Sequence, residues 1–116
     1  MTLVDKKNND VSVSRNEAES RYEITYADAA KPAGFAEYLI NDNDRIFYHT
    51  EIDDQFGGRG LASILVGEAL KDTFPSGQVV VGLCPFVKGH VEKKGYDGAY
   101  RDGTKDDMAF IREMKR

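Results

Sequence analysis

Midway along the chain the sequence reads Gln55-Phe56-Gly57-Gly58-Arg59-Gly60-Leu61-Ala62. This glycine-rich turn lies between an apolar run typical of a strand and an apolar run typical of a helix. Such a turn presents bare backbone N–H groups at the N-terminus of the helix, where the helix dipole also favours an anion. The stretch therefore predicts a strand–turn–helix unit with a site suited to phosphate.

The residues on either side of the turn predict the rest of the sheet. Alternation of apolar and polar residues predicts strands at 11–15 and 22–26, and two further strands are predicted at 35–40 and 45–52, on either side of the turn-rich residues 41–44. Their short connections predict an antiparallel meander. After the turn, residues 61–72 follow helical periodicity, and the apolar run 79–83 predicts a strand covered on both faces. A strand, a helix and a strand in this order predict a right-handed crossover with two parallel strands.

The two ends of the chain carry weaker patterns. Pro85 is well suited to the first position of a helix that continues to about Lys94. Met108, Ile111 and Met114 recur at a spacing that predicts a short amphipathic C-terminal helix or turn. Residues 1–10 are predicted to be a disordered tail, and residues 11–116 a single domain. The predicted fold class is α+β, with a mixed, mostly antiparallel sheet and one β-α-β crossover.

Composition narrows the possible functions. The chain has 116 residues, enough for one domain, and a formal net charge of −4, which disfavours general binding to nucleic acid or to anionic membranes. No apolar run has the length of a membrane span, and the N-terminus lacks the apolar core of a secretory signal. The single cysteine, Cys84, cannot form an internal disulfide. We therefore expect a cytoplasmic protein.

Two common phosphate-binding patterns do not fit the turn. A Walker A loop ends in Gly-Lys-Ser/Thr, whereas this turn ends in Gly60-Leu61-Ala62. A dinucleotide-binding loop needs a third glycine where Ser63 stands. The remaining pattern, Gln55-x-x-Gly58-x-Gly60, resembles the Q/R-x-x-G-x-G/A signature of the Gcn5-related N-acetyltransferase (GNAT) superfamily. In that superfamily the signature binds the pyrophosphate of coenzyme A.

The resemblance is to short single-domain GNAT-like proteins and covers about residues 11–100. Three stretches carry it: the glycine turn with its helix, His49-Thr50-Glu51-Ile52 and Cys84-Pro85-Phe86-Val87. These proteins usually place an aromatic residue near position 90 and a His-Pro pair before Tyr96. The present chain has Gly89-His90-Val91 and Lys94-Gly95-Tyr96 there instead.

The resemblance implies acetyl-CoA or coenzyme A as cofactor. The residues it assigns to cofactor binding are Ile52, Asp53, Gln55, Phe56, Gly57, Gly58, Arg59, Gly60, Leu61, Ala62, Cys84 and Phe86. The amides of Phe56 to Leu61 would donate to two phosphates, and glycine at 58 and 60 permits positive φ without a Cβ in the way. Arg59 would add charge to the pyrophosphate or to the ribose 3′-phosphate. The alternative is a turn that starts a helix and whose glycines only permit tight packing.

Candidate catalytic groups lie on the strand before the turn. In a regular strand His49 and Glu51 point to one face, while Tyr48, Thr50 and Ile52 point to the other. Transfer of an acetyl group to an amine requires the amine to be neutral, and Glu51, or His49 through water, would remove its proton. The alternative is an imidazole and a carboxylate that are simply satisfied at a sheet surface.

Cys84 is the third candidate catalytic residue. It stands where a strand ends and a helix begins, a position that favours a lowered thiol pKa and hence a nucleophilic thiolate. Three interpretations remain open: covalent acceptance of the acetyl group, a wall of the thioester pocket, or an inert buried hydrophobe. The resemblance implies that the thioester lies between Glu51–Asp53 and Leu83–Cys84.

The predicted function is transfer of acetyl from acetyl-CoA to an unidentified small-molecule or protein amine, by direct attack on the thioester. The alternatives are a non-catalytic acyl-CoA sensor or a protein-interaction module on the same scaffold. We expect a monomer or weak homodimer with no nucleic-acid or membrane partner. We also expect no metal, because His49 and His90 have no cysteine or carboxylate at metal-ligand spacing.

Overall fold

The computed structural model describes residues 3–116, and within that range seven strands form one sheet in chain order. The strands are β1 (Leu3–Val4), β2 (Asp10–Asn16), β3 (Arg21–Tyr26), β4 (Gly34–Asn41), β5 (Asp44–Ile52), β6 (Val79–Gly82) and β7 (Tyr100–Asp102). The α-helices are α1 (Leu61–Thr73), α2 (Pro85–Lys94) and α3 (Lys105–Met114). Strands β1 to β5 pair antiparallel, whereas β5, β6 and β7 run parallel. The predicted α+β class is confirmed.

The crossover around the glycine turn has the predicted form. Strand β5, helix α1 and strand β6 follow one another, and β6 pairs parallel with β5 from Asp44 opposite Val79 to Phe47 opposite Gly82. Helices α1 and α2 pack on one face of the sheet around Phe47, and α3 packs on the other around Ile46 and Ile111. Strand β6 is therefore covered on both faces, which explains its unbroken apolar sequence.

The N-terminal segment differs from the prediction. A disordered tail over residues 1–10 is wrong for residues 3–10, and residues 1 and 2 lie outside the described residues. Strand β1 pairs with β2, and the Asp5 side chain is fully buried. Its carboxylate accepts hydrogen bonds from the amides of Lys7 and Asn9, both at 2.9 Å, and from the Tyr26 hydroxyl at 2.6 Å. A two-residue strand carries no periodicity, so these tertiary contacts leave no sequence pattern.

The C-terminal region adds one strand that the sequence did not predict. Strand β7 lies beside β6, and Arg101 on it donates to Asp44 at 2.9 Å and to Asp107 at 2.7 Å. Thr104 and Asp107 form a reciprocal capping box at the start of α3. The hydrogen bond from Arg101 lowers the pKa of Asp107 to about 2, against the effect of burial and with help from Thr104.

A β-bulge in β5 changes which side chains share a face. Glu37 lies opposite His49, while its neighbour Tyr38 lies opposite Phe47, so Tyr48 is the extra residue. The Lys115 ammonium contacts both the Tyr48 hydroxyl, at 3.1 Å, and Glu37, at 3.6 Å, which places Tyr48 on the same face as His49. The prediction that His49 and Tyr48 point to opposite faces of the strand is therefore wrong.

Candidate functional site

Strands β5 and β6 pair over only part of their length, and this opens a gap in the sheet. Their pairing ends at Phe47 opposite Gly82, where the amide of Cys84 donates to the Phe47 carbonyl at 2.9 Å. Strand β5 continues to Ile52, while the other chain segment turns into α2. After Phe47, β5 therefore has no paired strand on this side among the described residues, and we call this interval, up to the glycine turn, the gap.

The glycine turn leaves a set of amides free at the start of α1. Gly58 and Gly60 have φ values of +76° and +77°, in the left-handed region that glycine adopts without strain. Within residues 3–116, the N–H groups of Gly58, Arg59 and Gly60 donate to no protein acceptor. The amides of the first helical turn, up to Ser63, have no intrahelical acceptor by geometry. Together they form a continuous run of donors from Gly58 to Ser63.

The set of donors lies further along the chain than predicted. The amides of Phe56 and Gly57 donate to the carbonyls of Asp53 and Asp54, at 2.9 and 3.1 Å. They close the short 3₁₀ turn Asp54–Phe56, so the predicted range Phe56 to Leu61 shifts to Gly58 to Ser63. The cause is Asp53, whose carboxylate accepts from the amide of Gln55 and starts this turn.

Helix α1 differs from α3 in how its N-terminus is satisfied. Gly60 is the N-cap of α1 and supplies no side-chain hydrogen bond, and the first turn contains no acidic residue. By contrast, Thr104 and Asp107 satisfy the first amides of α3. The same chain therefore caps one helix with its own side chains and leaves the other open to an external anion.

Arg59 is turned into the protein. Its guanidinium lies over the rings of Tyr26 and Phe56, 3.3 Å from the Tyr26 hydroxyl and 3.8 Å from the carboxylate of Asp5. Phe56 in turn packs on Tyr26, with ring centroids 5.0 Å apart. These side chains hold the turn in place, and Arg59 does not extend toward the free amides.

The other residues assigned to the cofactor divide into core and surface positions. Leu61 is buried in the core, and the half-buried Ile52 packs against the same core. Asp53 and Gln55 are exposed, and Ala62 lies at the surface of α1 beside the exposed ring of Phe86.

Cys84 lies inside the protein on the α1 side of the sheet. Only 2% of it is exposed, and its thiol donates to the Thr50 hydroxyl at 3.3 Å. It occupies the N-cap position of α2 without capping the helix through its side chain. Cys84 and Thr50 thus face each other where β5 and β6 separate.

His49 and Glu51 lie on the opposite face from Cys84. The His49 Nε2 is 3.4 Å from the Glu51 carboxylate, and about half of each side chain or more is exposed. A cleft of about 450 Å³ borders Glu51 and also contains Asp53 and Asp54. The structure therefore brings two of the three candidate catalytic residues together and separates both from Cys84.

A second part of the candidate site lies between α1 and α2, where the sequence analysis named Ala62 and Phe86 but missed Ser63, His90, Lys93 and Lys94. A cleft of about 300 Å³ joins Ser63, in the first turn of α1, to Phe86, His90, Lys93 and Lys94 on α2. Burial and the nearby charge of Lys94 lower the pKa of His90, which keeps the imidazole neutral at pH 7. The helical spacing of these α2 residues was the available signal.

Within residues 3–116, no three side chains of the metal-binding types come together, and no helix is long and apolar enough to cross a bilayer. A family model described as GCN5-related N-acetyl-transferase matches residues 21–102. The match covers β3 through β7, and so includes the gap, the glycine turn and both helices that border the site. No curated protein and no solved structure shows a significant match to the chain.

Proposed function

Because this chain belongs to the GCN5-related N-acetyltransferase family, we propose that it binds acetyl-CoA and transfers the acetyl group to an amine. The observation that carries the proposal is the uncapped N-terminus of α1: among residues 3–116 the amides of Gly58, Arg59 and Gly60 have no protein acceptor, and those of Leu61 to Ser63 have none within the helix. Free amides at a helix N-terminus fit a pyrophosphate in charge and in hydrogen-bonding capacity.

The residues present fit the cofactor along its length. Gly58 and Gly60 expose the backbone that would hold the pyrophosphate, because neither carries a Cβ. The gap beyond Phe47 and Gly82 would hold the extended arm that carries the thioester. Lys93 and Lys94 in the cleft between the helices supply positive charge for the nucleotide phosphate, and Phe86 supplies an exposed ring for the base.

Acetyl-CoA, when bound, supplies an acetyl group activated as a thioester. Glu51, with His49 beside it, is placed to take the proton from the acceptor amine, because both side chains are exposed and 3.4 Å apart. The carboxylates of Glu51, Asp53 and Asp54 around one cleft favour an acceptor that arrives as a cation.

Cys84 acts as a wall of the pocket in this proposal. Its thiol is buried and donates a hydrogen bond to Thr50, so it is poorly placed to attack the acetyl carbon. The amine would therefore attack the acetyl carbon directly, the carbon–sulfur bond would break and CoA would leave as its thiol, with no acetyl group passed through the protein.

The first test is binding. Titration of the protein with CoA and with acetyl-CoA, followed by backbone amide NMR, should shift the signals of Gly58 to Ser63. The amide of Gly77 lies at the other end of α1 and already donates to the Phe74 carbonyl, so it should not respond. If neither ligand shifts the Gly58–Ser63 amides, the proposal is wrong.

The second test is transfer. Wild type, Glu51→Gln and the control Glu19→Gln should be assayed against a panel of polyamines, amino sugars, amino acids and lysine peptides. Glu19 is exposed on a turn between β2 and β3, so its replacement should leave the rate unchanged. Glu51→Gln should slow transfer about a hundredfold and move the pH–rate profile. If CoA binds and no amine is acetylated, the transfer part of the proposal fails and a binding protein remains.

A further inference from the structure

The N-terminal strap, residues 3–10, is attached to the glycine turn. The amide of Lys6 donates to the Arg59 carbonyl at 3.0 Å, and the buried carboxylate of Asp5 lies 3.8 Å from the Arg59 guanidinium. Asp5 also accepts from the Tyr26 hydroxyl. The strap precedes the residues that match the family model, which begin at 21.

The buried carboxylate of Asp5, which joins the strap to the rest of the protein, is ionised at neutral pH. Burial raises the pKa of Asp5, but hydrogen bonds from Tyr26 and from the amides of Asn9 and Lys7 outweigh it and lower the pKa to about 2. A fixed anion here holds Arg59 and fixes the backbone of the adjacent residue, Lys6. The conformation of Lys6 is thus determined by its neighbours on both sides.

The Lys6 side chain lies across Gly60. A Cβ added at Gly60 would come within 3.3 Å of the Lys6 Cγ and 3.2 Å of its Cε. The ammonium is one bond beyond Cε, so it lies close to Gly60, the residue that precedes α1. Within residues 3–116 the Lys6 ammonium forms no ion pair, whereas the Arg59 guanidinium is paired internally.

We propose that Lys6 binds the pyrophosphate of coenzyme A, supplying the cation that the turn lacks because Arg59 is engaged with Asp5. This inference rests on the proposed function, since it concerns the same ligand. An ammonium on a flexible stem suits a phosphate oxygen as a point charge. The glycine at position 60 then has a second role, because any side chain there would displace the lysine stem.

The test compares two adjacent lysines. Lys6→Gln and Lys7→Gln remove the same charge from exposed positions of one strap, and only Lys6 lies over Gly60. Calorimetric titration with CoA should show about fivefold to tenfold weaker binding for Lys6→Gln and a change within about twofold for Lys7→Gln. Lys6→Arg, which keeps the charge, should bind within about threefold of wild type.

A second ligand identifies the phosphate concerned. The compound 3′-dephospho-CoA retains the pyrophosphate, so the loss caused by Lys6→Gln should be the same for it as for CoA. A loss seen with CoA and absent with 3′-dephospho-CoA overturns the assignment to the pyrophosphate. Equal losses in Lys6→Gln and Lys7→Gln, or no loss in either, also overturn the proposal.

The outcomes separate this inference from the proposed function. If wild type binds neither CoA nor 3′-dephospho-CoA, the proposed function fails. If wild type binds CoA and Lys6→Gln binds it equally well, only the inference about Lys6 fails. Thermal unfolding of both variants without ligand should match wild type, which excludes a folding defect as the cause.

Discussion

Replacing Gly58 by alanine tests the glycine turn against a matched glycine elsewhere in the chain. Gly58 has φ +76° and Gly77 has φ +74°, and at both positions an added Cβ meets nothing within 4 Å. The two substitutions therefore impose the same backbone strain without a steric clash. The two glycines lie at opposite ends of α1: Gly58 precedes the helix, and Gly77 follows the 3₁₀ turn Phe74–Ser76 that comes after it.

The expected cost in stability is the same for both variants. A left-handed conformation costs an L-residue about 1 to 2 kcal/mol relative to glycine. For a domain of this size the unfolding entropy converts that cost into a fall in Tm of about 4 to 8 °C. Differential scanning calorimetry without ligand should give the same fall, within about 2 °C, for Gly58→Ala and Gly77→Ala.

The expected effect on binding differs between them. A methyl group at position 58 intrudes where the pyrophosphate must approach the bare backbone, and losing one hydrogen bond to a charged phosphate costs about 1.5 to 3 kcal/mol. Gly58→Ala should therefore weaken CoA binding about tenfold to a hundredfold, whereas Gly77→Ala should bind as wild type does.

Calorimetric titration and thermal unfolding with ligand measure the same difference in two ways. At a hundred times its Kd, a ligand stabilises wild type by about 2.7 kcal/mol, or about 10 °C in Tm. That shift should persist in Gly77→Ala and shrink in Gly58→Ala at the same CoA concentration. Equal affinity of the two variants for CoA, whether retained or lost, would refute the placement of the pyrophosphate at Gly58.

Three further predictions concern other parts of the molecule. Asp107→Asn should lower the free energy of unfolding by about 1 kcal/mol at pH 7. The lowered pKa of Asp107 corresponds to about 2 kcal/mol, and water screens its partner Arg101, whose side chain is 38% exposed. The control Asp106→Asn, at an exposed position, should change the free energy of unfolding little. Because the pKa of Asp107 in the folded protein is lowered to about 2, its contribution to stability is present above about pH 4 and lost toward pH 2. Urea denaturation from pH 2 to 7 should therefore show a free energy of unfolding that depends less on pH in Asp107→Asn than in wild type. Tyr22→Phe removes the hydroxyl that accepts a hydrogen bond from the buried Arg45 at 2.6 Å, and urea denaturation should show a free energy of unfolding lower by about 1 to 3 kcal/mol. The hydroxyl of Tyr38 has no protein partner within residues 3–116, so the control Tyr38→Phe should lower it by less than about 0.5 kcal/mol. Cys84→Ala should retain acetyl transfer within about tenfold, and intact mass after exposure to acetyl-CoA should show no added acetyl on wild type; an acetylated wild-type protein that Cys84→Ala abolishes would establish the covalent route instead.

The centre of the fold was predictable because the sequence changes period there. Alternation gives way to helical spacing at Leu61, and the run around Val80 is apolar at nearly every position, so β5, α1 and β6 and their parallel pairing follow from local pattern. Strands β1 and β7 were missed because each is too short to show alternation. They exist through tertiary contacts of Asp5 and Arg101.

The sequence located the turn of the candidate site, but it did not predict which amides are free or where the side chain of Arg59 lies. The pattern Gln55-x-x-Gly58-x-Gly60 located the turn, but the capping of a 3₁₀ turn by Asp53 moved the free amides toward Ser63. Arg59 has the charge expected of a phosphate ligand, yet the buried Asp5 engages it from a segment predicted to be disordered. Both differences arise from contacts between residues distant in sequence or from a competing local hydrogen bond.

The bulge at Tyr48 makes the two faces of the site depend on residue count as well as residue type. Because Tyr48 is one residue more than β4 can match, Thr50 faces Cys84, while the adjacent His49 lies on the opposite face beside Glu51. Deleting Tyr48 itself would restore regular alternation and keep His49 to Ile52 opposite their present partners on β4, so Thr50 would still face Cys84. An inserted residue between His49 and Ile52 would instead turn the residues beyond it to the opposite face, so this strand should tolerate the loss of Tyr48 better than the gain of a residue.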